Sequence, residues 1–197
     1  MAIPESMCDW FIPLSETGKT LRQAYNDMQT IGFRQEAIPL IIQLVENPRY
    51  ALPGLELFSG ATDLETHDYI HLILGRGVLP KDEAFVLGFT MGSTNRMTVL
   101  EEKLYGLFSR FLYPRDYRFT DEDFQVYKNA VRLAYISNCQ PMDKIDYHQL
   151  LDLPLETIRK QLGIETPLLR AYYQIEKQRY PDCVESRRLL DGFDIAK

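Results

Sequence analysis

Apolar side chains recur along most of the chain at the three-to-four-residue spacing of an amphipathic helix. Glycine, proline and turn-forming polar residues interrupt the pattern and leave segments of about 10 to 18 residues. No stretch shows a strand-like alternation that competes with the helical pattern. The pattern therefore predicts an all-α protein, a single-domain helical bundle of about seven to nine helices.

Capping signals help to place these helices. Thr62 and Glu65 have the spacing of a capping box, which predicts a helix that starts at Thr62. Thr120 and Thr166 are predicted N-caps, and Pro167 suits a first helical turn. The predicted helices cover residues 18–29, 33–45, 62–75, 82–91, 97–112, 121–138, 154–162 and 167–180.

Composition and charge narrow the class of protein. The 197 residues are 45% hydrophobic and 25% charged, which is the balance of one folded domain with a sizeable core. The 22 basic and 28 acidic residues give a net charge of -6. The negative electrostatic potential of such a chain repels the phosphate backbones of nucleic acids. The sequence therefore predicts that nucleic acid is not a partner.

The cysteines and the N-terminal sequence bear on location. Cys8, Cys139 and Cys183 show no ligand-like spacing, which predicts free thiols in a reducing compartment. The first residues, MAIPESMCDW, show no signal or transit peptide pattern. The longest apolar runs fall well short of the roughly 20 residues that a membrane span needs. We therefore expect a cytoplasmic protein with at most peripheral contact to the inner face of the membrane.

Two of the three histidines lie close together in THDYIHL. His67 and His71 are four positions apart, so on a helix they share a face and suit two imidazoles that bind one metal ion. Asp68 is placed to be a further ligand or to orient an imidazole. Glu83 follows a turn-forming GRGVLP segment, and a chain reversal there would return it to the height of His71. The spacing predicts a metal site.

The residues alone leave alternatives open. The two histidines are also compatible with ordinary hydrogen-bonded positions in a core or at a surface. A zincin would need a glutamate where Asp68 stands, and a phosphohydrolase with an H-D doublet would need a histidine before His67, which this chain lacks. Histidine and carboxylate ligands suit Zn²⁺ or iron, and Mg²⁺ less well.

The motif also carries a family resemblance. HDYIH, eleven further residues and Glu83 form the pattern H-D-x-x-H-x11-E, which resembles the signature of the ubiquinone (coenzyme Q) biosynthesis family numbered four in the Coq series. FVLGFTMGST resembles the apolar helix of that family, and DYHQLLDLPLETIRKQLGI resembles its C-terminal block. The resemblance covers about residues 18–164 and leaves residues 165–197 as a C-terminal helical extension.

The resemblance implies an all-helical protein that acts late in ubiquinone synthesis on polyprenylated aromatic intermediates. His67, Asp68, His71 and Glu83 carry over as its metal ligands and catalytic residues. The implied ion is Zn²⁺, with iron or Mg²⁺ as alternatives, and the implied reaction is oxidative removal of the ring carboxylate with hydroxylation at that carbon. The alternative is a non-catalytic scaffold that binds a prenyl lipid and other quinone-biosynthesis enzymes. A homodimer is a further expectation from the resemblance.

Other features allow two interpretations each. The segment 103–118 combines apolar residues with four basic residues and one acidic residue, which is typical of an interfacial patch or of a core helix with solvated charges. Trp10, Phe11 and Ile12 suit a membrane surface or a fold back onto the domain. Gly88 and Gly92 form a small-xxx-small pair, for which close helix packing is the favoured interpretation.

Overall fold

The computed structural model describes residues 10–30, 60, 62–95 and 119–193. In these ranges the chain forms seven α-helices and two 3₁₀ helices, and no strand beyond an isolated bridge between Thr20 and Pro154. The predicted all-α fold is confirmed. The helices are α1 Leu21–Thr30, α2 Leu64–Leu74, α3 Pro80–Ser93, α4 Asp121–Ile136, α5 Leu155–Gln161, α6 Thr166–Arg179 and α7 Val184–Arg188, and the 3₁₀ helices are Met142–Lys144 and Tyr147–Leu150.

One hydrophobic core joins these helices. Seven consecutive residues of α2, Asp68 to Leu74, are buried, so this helix runs through the interior and not along the surface. Leu169 and Tyr173 of α6 and Leu189 after α7 belong to the same core. The segment predicted as a C-terminal extension therefore packs into the domain.

The ends of α2 are set by one carboxylate and one glycine. Asp63 is the N-cap, because its side chain accepts a hydrogen bond of 2.9 Å from the backbone N–H of Thr66. The predicted capping box at Thr62 is wrong by one residue. Gly75 ends the helix as predicted, with a φ of 72° that favours glycine. A Cβ at Gly75 would also overlap the backbone of Leu14.

Four other helix starts differ from the predictions by one to three residues, and among them α5 begins at Leu155, one residue later than predicted. Helix α1 begins at Leu21 and not at Gly18, since the Thr20 hydroxyl and the Gln23 side chain cap each other's backbone N–H groups. Helix α3 begins two residues early, at Pro80, whose fixed φ suits a first turn. Thr166 is the first residue of α6 and not its cap.

Helix α4 confirms the predicted Thr120 N-cap and shows why two glycines lie in α3. Thr120 and Asp123 form a capping box. The helices α3 and α4 run side by side in the same direction, with Gly88 against the Tyr127 carbonyl and Gly92 against the Val131 carbonyl. A side chain at either glycine would push the helices apart. The packing interpretation of this pair is confirmed.

The N-terminal aromatic segment folds back onto the domain. Ile12 is buried, Trp10 packs against the core, and the Phe11 ring lies 4.9 Å from the Arg188 guanidinium carbon.

Cys139 and Cys183 are free thiols, as predicted. Within the described ranges, no helix is long and apolar enough to cross a bilayer. The predicted helices 33–45 and 97–112, the segment 103–118 and Cys8 lie outside the described residues.

Candidate metal centre

The hairpin of α2 and α3 brings three of the predicted ligands together. His67 and His71 lie on successive turns of α2, and Glu83 lies in the first turn of α3. The Nε2 atoms of the two histidines are 2.9 Å apart. Glu83 Oε2 lies 2.9 Å from His67 Nε2 and 3.3 Å from His71 Nε2. The chain reversal that the sequence predicts therefore returns Glu83 to the histidines.

The triangle formed by these atoms has the dimensions of one face of a metal coordination sphere. With metal–ligand bonds of about 2.1 Å, two ligand atoms lie about 3.0 Å apart at a right angle and about 3.4 Å apart at a tetrahedral angle. All three edges, 2.9, 2.9 and 3.3 Å, fall at or near this range. The set fits one divalent ion and leaves its remaining coordination positions to other ligands.

A backbone carbonyl orients His71. The imidazole is 1% exposed, and its Nδ1 donates a hydrogen bond of 2.6 Å to the carbonyl of Gly77. A neutral imidazole with its proton on Nδ1 presents the Nε2 lone pair to the triangle, as a metal ligand must. Such a bond from the distal nitrogen is a recurrent feature of metal-binding histidines.

The three atoms are also of the types that bind a cation. Each imidazole nitrogen offers a lone pair when it carries no proton, and the carboxylate oxygen is an anionic donor. A divalent ion at the centre would accept lone pairs from His67 Nε2, His71 Nε2 and Glu83 Oε2.

The charge state of Glu83 is compatible with cation binding. Burial raises the pKa of this carboxyl, but the neighbouring His71 and His67 outweigh burial and hold the pKa well below its usual range. Glu83 is therefore an ionised carboxylate at neutral pH. Its side chain is 30% exposed, so the triangle is open on the glutamate side and closed on the His71 side.

Asp68 lies beside the triangle and not in it. The group of converging ligand atoms within the described residues consists of His67, His71 and Glu83. Asp68 is buried on α2, and burial raises the pKa of its carboxyl to about 6 although both histidines lower it. Of the four predicted ligands, the structure thus brings three into contact and places Asp68 next to them.

His148, the third histidine, lies away from the triangle. Its side chain is 69% exposed, and Nε2 is 3.8 Å from Glu65 Oε2. Glu65 in turn accepts a hydrogen bond of 2.7 Å from the Tyr69 hydroxyl, and the Tyr69 ring packs against Tyr25 and Tyr147. This aromatic group covers another face of α2.

Sequence reasoning missed the groups that hold the site residues in position. The Gly77 carbonyl orients His71, and no side chain marks this function because every residue carries a carbonyl. Buried charges flank the same turn at Arg76 and Asp82. Their partners lie about a hundred residues further along the chain, where no local spacing points to them.

Comparisons of the chain with protein-family models, with curated proteins and with solved structures gave no match. The family resemblance carried by the H-D-x-x-H-x11-E pattern therefore stays a prediction.

Proposed function

We propose that this protein is a metal-dependent protein of ubiquinone biosynthesis that acts on polyprenylated aromatic intermediates. The observation that carries the proposal is the convergence of His67 Nε2, His71 Nε2 and Glu83 Oε2 in one triangle. These are three of the four positions to which the family resemblance assigns metal ligands. The pathway and the substrate class come from the resemblance, and the geometry supports a metal site.

The exposure of the triangle suits a catalytic centre. Catalytic zinc sites keep a position open to water or substrate, whereas structural sites are closed. Among the described residues three ligand atoms converge, and the 30% exposed Glu83 side chain opens this group to solvent. A carboxylate on an aromatic ring is an anion that suits such an open position.

The ligand set suits two ions with different chemistry. Two histidines and one carboxylate bind Zn²⁺ in hydrolytic enzymes and Fe²⁺ in oxygenases. When bound, the metal would polarise the ring carboxylate or activate an oxidant. His67, His71 and Glu83 would hold the metal, and Asp68, buried one residue after His67, supplies a second carboxyl next to the site.

The proposed reaction replaces the ring carboxylate by a hydroxyl group. The bond between the ring carbon and the carboxylate breaks, CO₂ leaves, and one oxygen atom of O₂ bonds to the ring carbon. The second oxygen atom leaves as water. An external reductant supplies two electrons, and solvent supplies three protons, two for the water and one for the new ring hydroxyl. Zn²⁺ has no redox chemistry of its own, so this reaction favours iron, or a substrate that itself reacts with O₂.

The alternative function, a non-catalytic scaffold that binds a prenyl lipid, rests on the segment 103–118, which lies outside the described residues.

Elemental analysis of protein purified without chelator tests the metal site. We expect about one divalent ion per chain in the wild type, and its loss in His71→Ala and Glu83→Gln. His148→Ala is the matched control, because this histidine is exposed and outside the triangle. Circular dichroism establishes that each variant is folded. Folded His71→Ala and Glu83→Gln proteins that retain the wild-type metal content would overturn the proposal.

A second experiment tests the reaction itself. The protein, loaded with Fe²⁺ or with Zn²⁺, is incubated with a prenylated hydroxybenzoate labelled in the carboxylate carbon, with a reductant, under air or argon. We expect labelled CO₂ and a ring hydroxyl from wild type and His148→Ala under air, and neither product from Glu83→Gln. Full quinone synthesis in cells that carry only folded Glu83→Gln would contradict a catalytic function.

A further inference from the structure

The turn between α2 and α3 sets the geometry of the triangle. His71 lies four residues before Gly75, and Glu83 lies four residues after Leu79. The same turn contributes the Gly77 carbonyl that accepts the hydrogen bond from His71. Any shift of this turn therefore changes both the distance between two ligands and the orientation of one of them.

Two charged residues of this turn are fully buried and have partners in the C-terminal helices. Arg76 forms a bidentate pair with Glu176 of α6, with N–O distances of 2.9 and 2.7 Å. Asp82, next to Glu83, accepts a hydrogen bond of 2.6 Å from Arg188 Nη2 of α7. The Ser186 hydroxyl of α7 donates to Glu176 at 3.1 Å. Two cations and two anions thus balance in a buried network around the turn.

Arg188 lies directly against Gly77. A Cβ built on Gly77 would overlap Arg188 Nη2, and it would lie 2.7 Å from the Trp10 carbonyl and 2.9 Å from Asp82 Oδ2. The guanidinium therefore occupies the space beside the Gly77 backbone while it holds Asp82. Only a glycine permits this approach, and the approach leaves the Gly77 carbonyl little freedom to move.

We propose that Arg188 is a positioning residue of the metal centre, an inference that rests on the proposed metal-dependent function. Through its contacts with Gly77 and Asp82 it holds the turn so that the Gly77 carbonyl accepts the His71 Nδ1 proton. His71 then presents the Nε2 lone pair to the ion. The pair of Arg76 with Glu176 holds the other side of the turn. The C-terminal helices are in this way part of the metal site.

The test replaces Arg188 by lysine, which keeps the buried charge but loses the planar group that fits between Gly77 and Asp82. The matched control is Arg187→Lys, one residue earlier on the exposed side of α7. The probe is Co²⁺ alone, titrated into folded protein and followed by its visible absorption, which reports coordination geometry. Nitrogen-15 NMR of His71 reports which ring nitrogen carries the proton.

We expect Arg188→Lys to weaken Co²⁺ binding by about 10-fold or more, the size typical of residues that orient ligands. The Co²⁺ spectrum should change, and the His71 proton should no longer be confined to Nδ1. Arg187→Lys should match the wild type in all three measurements. Wild-type affinity, spectrum and His71 tautomer in Arg188→Lys would overturn the inference.

Two further outcomes are also decisive. If the wild type binds no Co²⁺, the proposed function fails, and the His71 tautomer alone decides the positioning inference: a change in Arg188→Lys supports it and no change overturns it. If Arg188→Lys does not fold, Asp82→Asn replaces it, because it weakens the contact that Arg188 makes with the start of α3 while it keeps the shape of the side chain. A folded Asp82→Asn protein with weakened Co²⁺ binding or an altered tautomer supports the inference, and one that is unchanged in both overturns it.

Discussion

Replacing Arg159 should destabilise the fold strongly, because this residue connects the N-terminal segment to the end of α2. Its side chain is 2% exposed. Nε donates to the Ile73 carbonyl at 2.8 Å, and Nη1 donates to the carbonyls of Leu14 and Glu16 at 2.9 and 2.7 Å. Burial lowers the pKa of Arg159 to about 10, so the group stays charged at neutral pH.

The expected loss for Arg159→Met is about 3 kcal/mol of unfolding free energy. Methionine has a similar length but no donor, so three carbonyls lose their partner at about 1–3 kcal/mol each. Removing a buried charge whose hydrogen bonds go to neutral carbonyls returns several kcal/mol, which offsets about half of this loss. In a chain of this length, about 3 kcal/mol corresponds to a fall in Tm of about 6–12 °C.

Urea unfolding followed by circular dichroism measures this loss, with a thermal melt beside it. The matched control is Lys160→Met on the same helix, whose side chain is 75% exposed and pairs with Glu156, also exposed, one turn away. Its unfolding midpoint should stay near that of the wild type, since exposed ion pairs are screened by water and salt. If Arg159→Met lowers the free energy of unfolding by less than about 1 kcal/mol, these three hydrogen bonds do not stabilise the fold as argued.

Two further predictions concern the site and the helix pair behind it. The folded-state pKa of Glu83 is lowered, so its ionisation stabilises the fold above the ordinary carboxyl pKa of 4.5, and that contribution is lost as the pH falls below it. Glu83→Gln should therefore show a shallower loss of stability below that pH in urea titrations, and a slope equal to that of the wild type would contradict this. Gly92→Ala should lower stability by about 1–3 kcal/mol, because its Cβ meets the Val131 carbonyl, whereas Gly18→Ala, which meets only open space and one flexible side chain, should change little. Equal urea midpoints for the two alanine variants would show that α3 and α4 can separate without cost.

Features of the fold that depend on neighbouring residues were predictable from the sequence. The apolar spacing, the Thr120 cap and the αL stop at Gly75 are local, because each acts within one or two helical turns. The shared face of His67 and His71 is local for the same reason. The N-cap of α2 was misplaced by one residue, because Asp63 and its neighbour Thr62 both carry side chains that can cap a helix, and spacing alone did not separate them.

The support of the candidate site depended on the tertiary structure. Arg76 and Glu176 are 100 positions apart, and Asp82 and Arg188 are 106 positions apart, so no periodicity links them. Charged residues next to a turn are usually solvated, and only packing of the C-terminal helices shows that these are buried. The sequence determined that two histidines share a helix face with a glutamate beyond a turn. The tertiary structure decided that the glutamate meets them, that Asp68 lies outside the triangle, and which carbonyl orients His71, because these distances depend on how the helices pack.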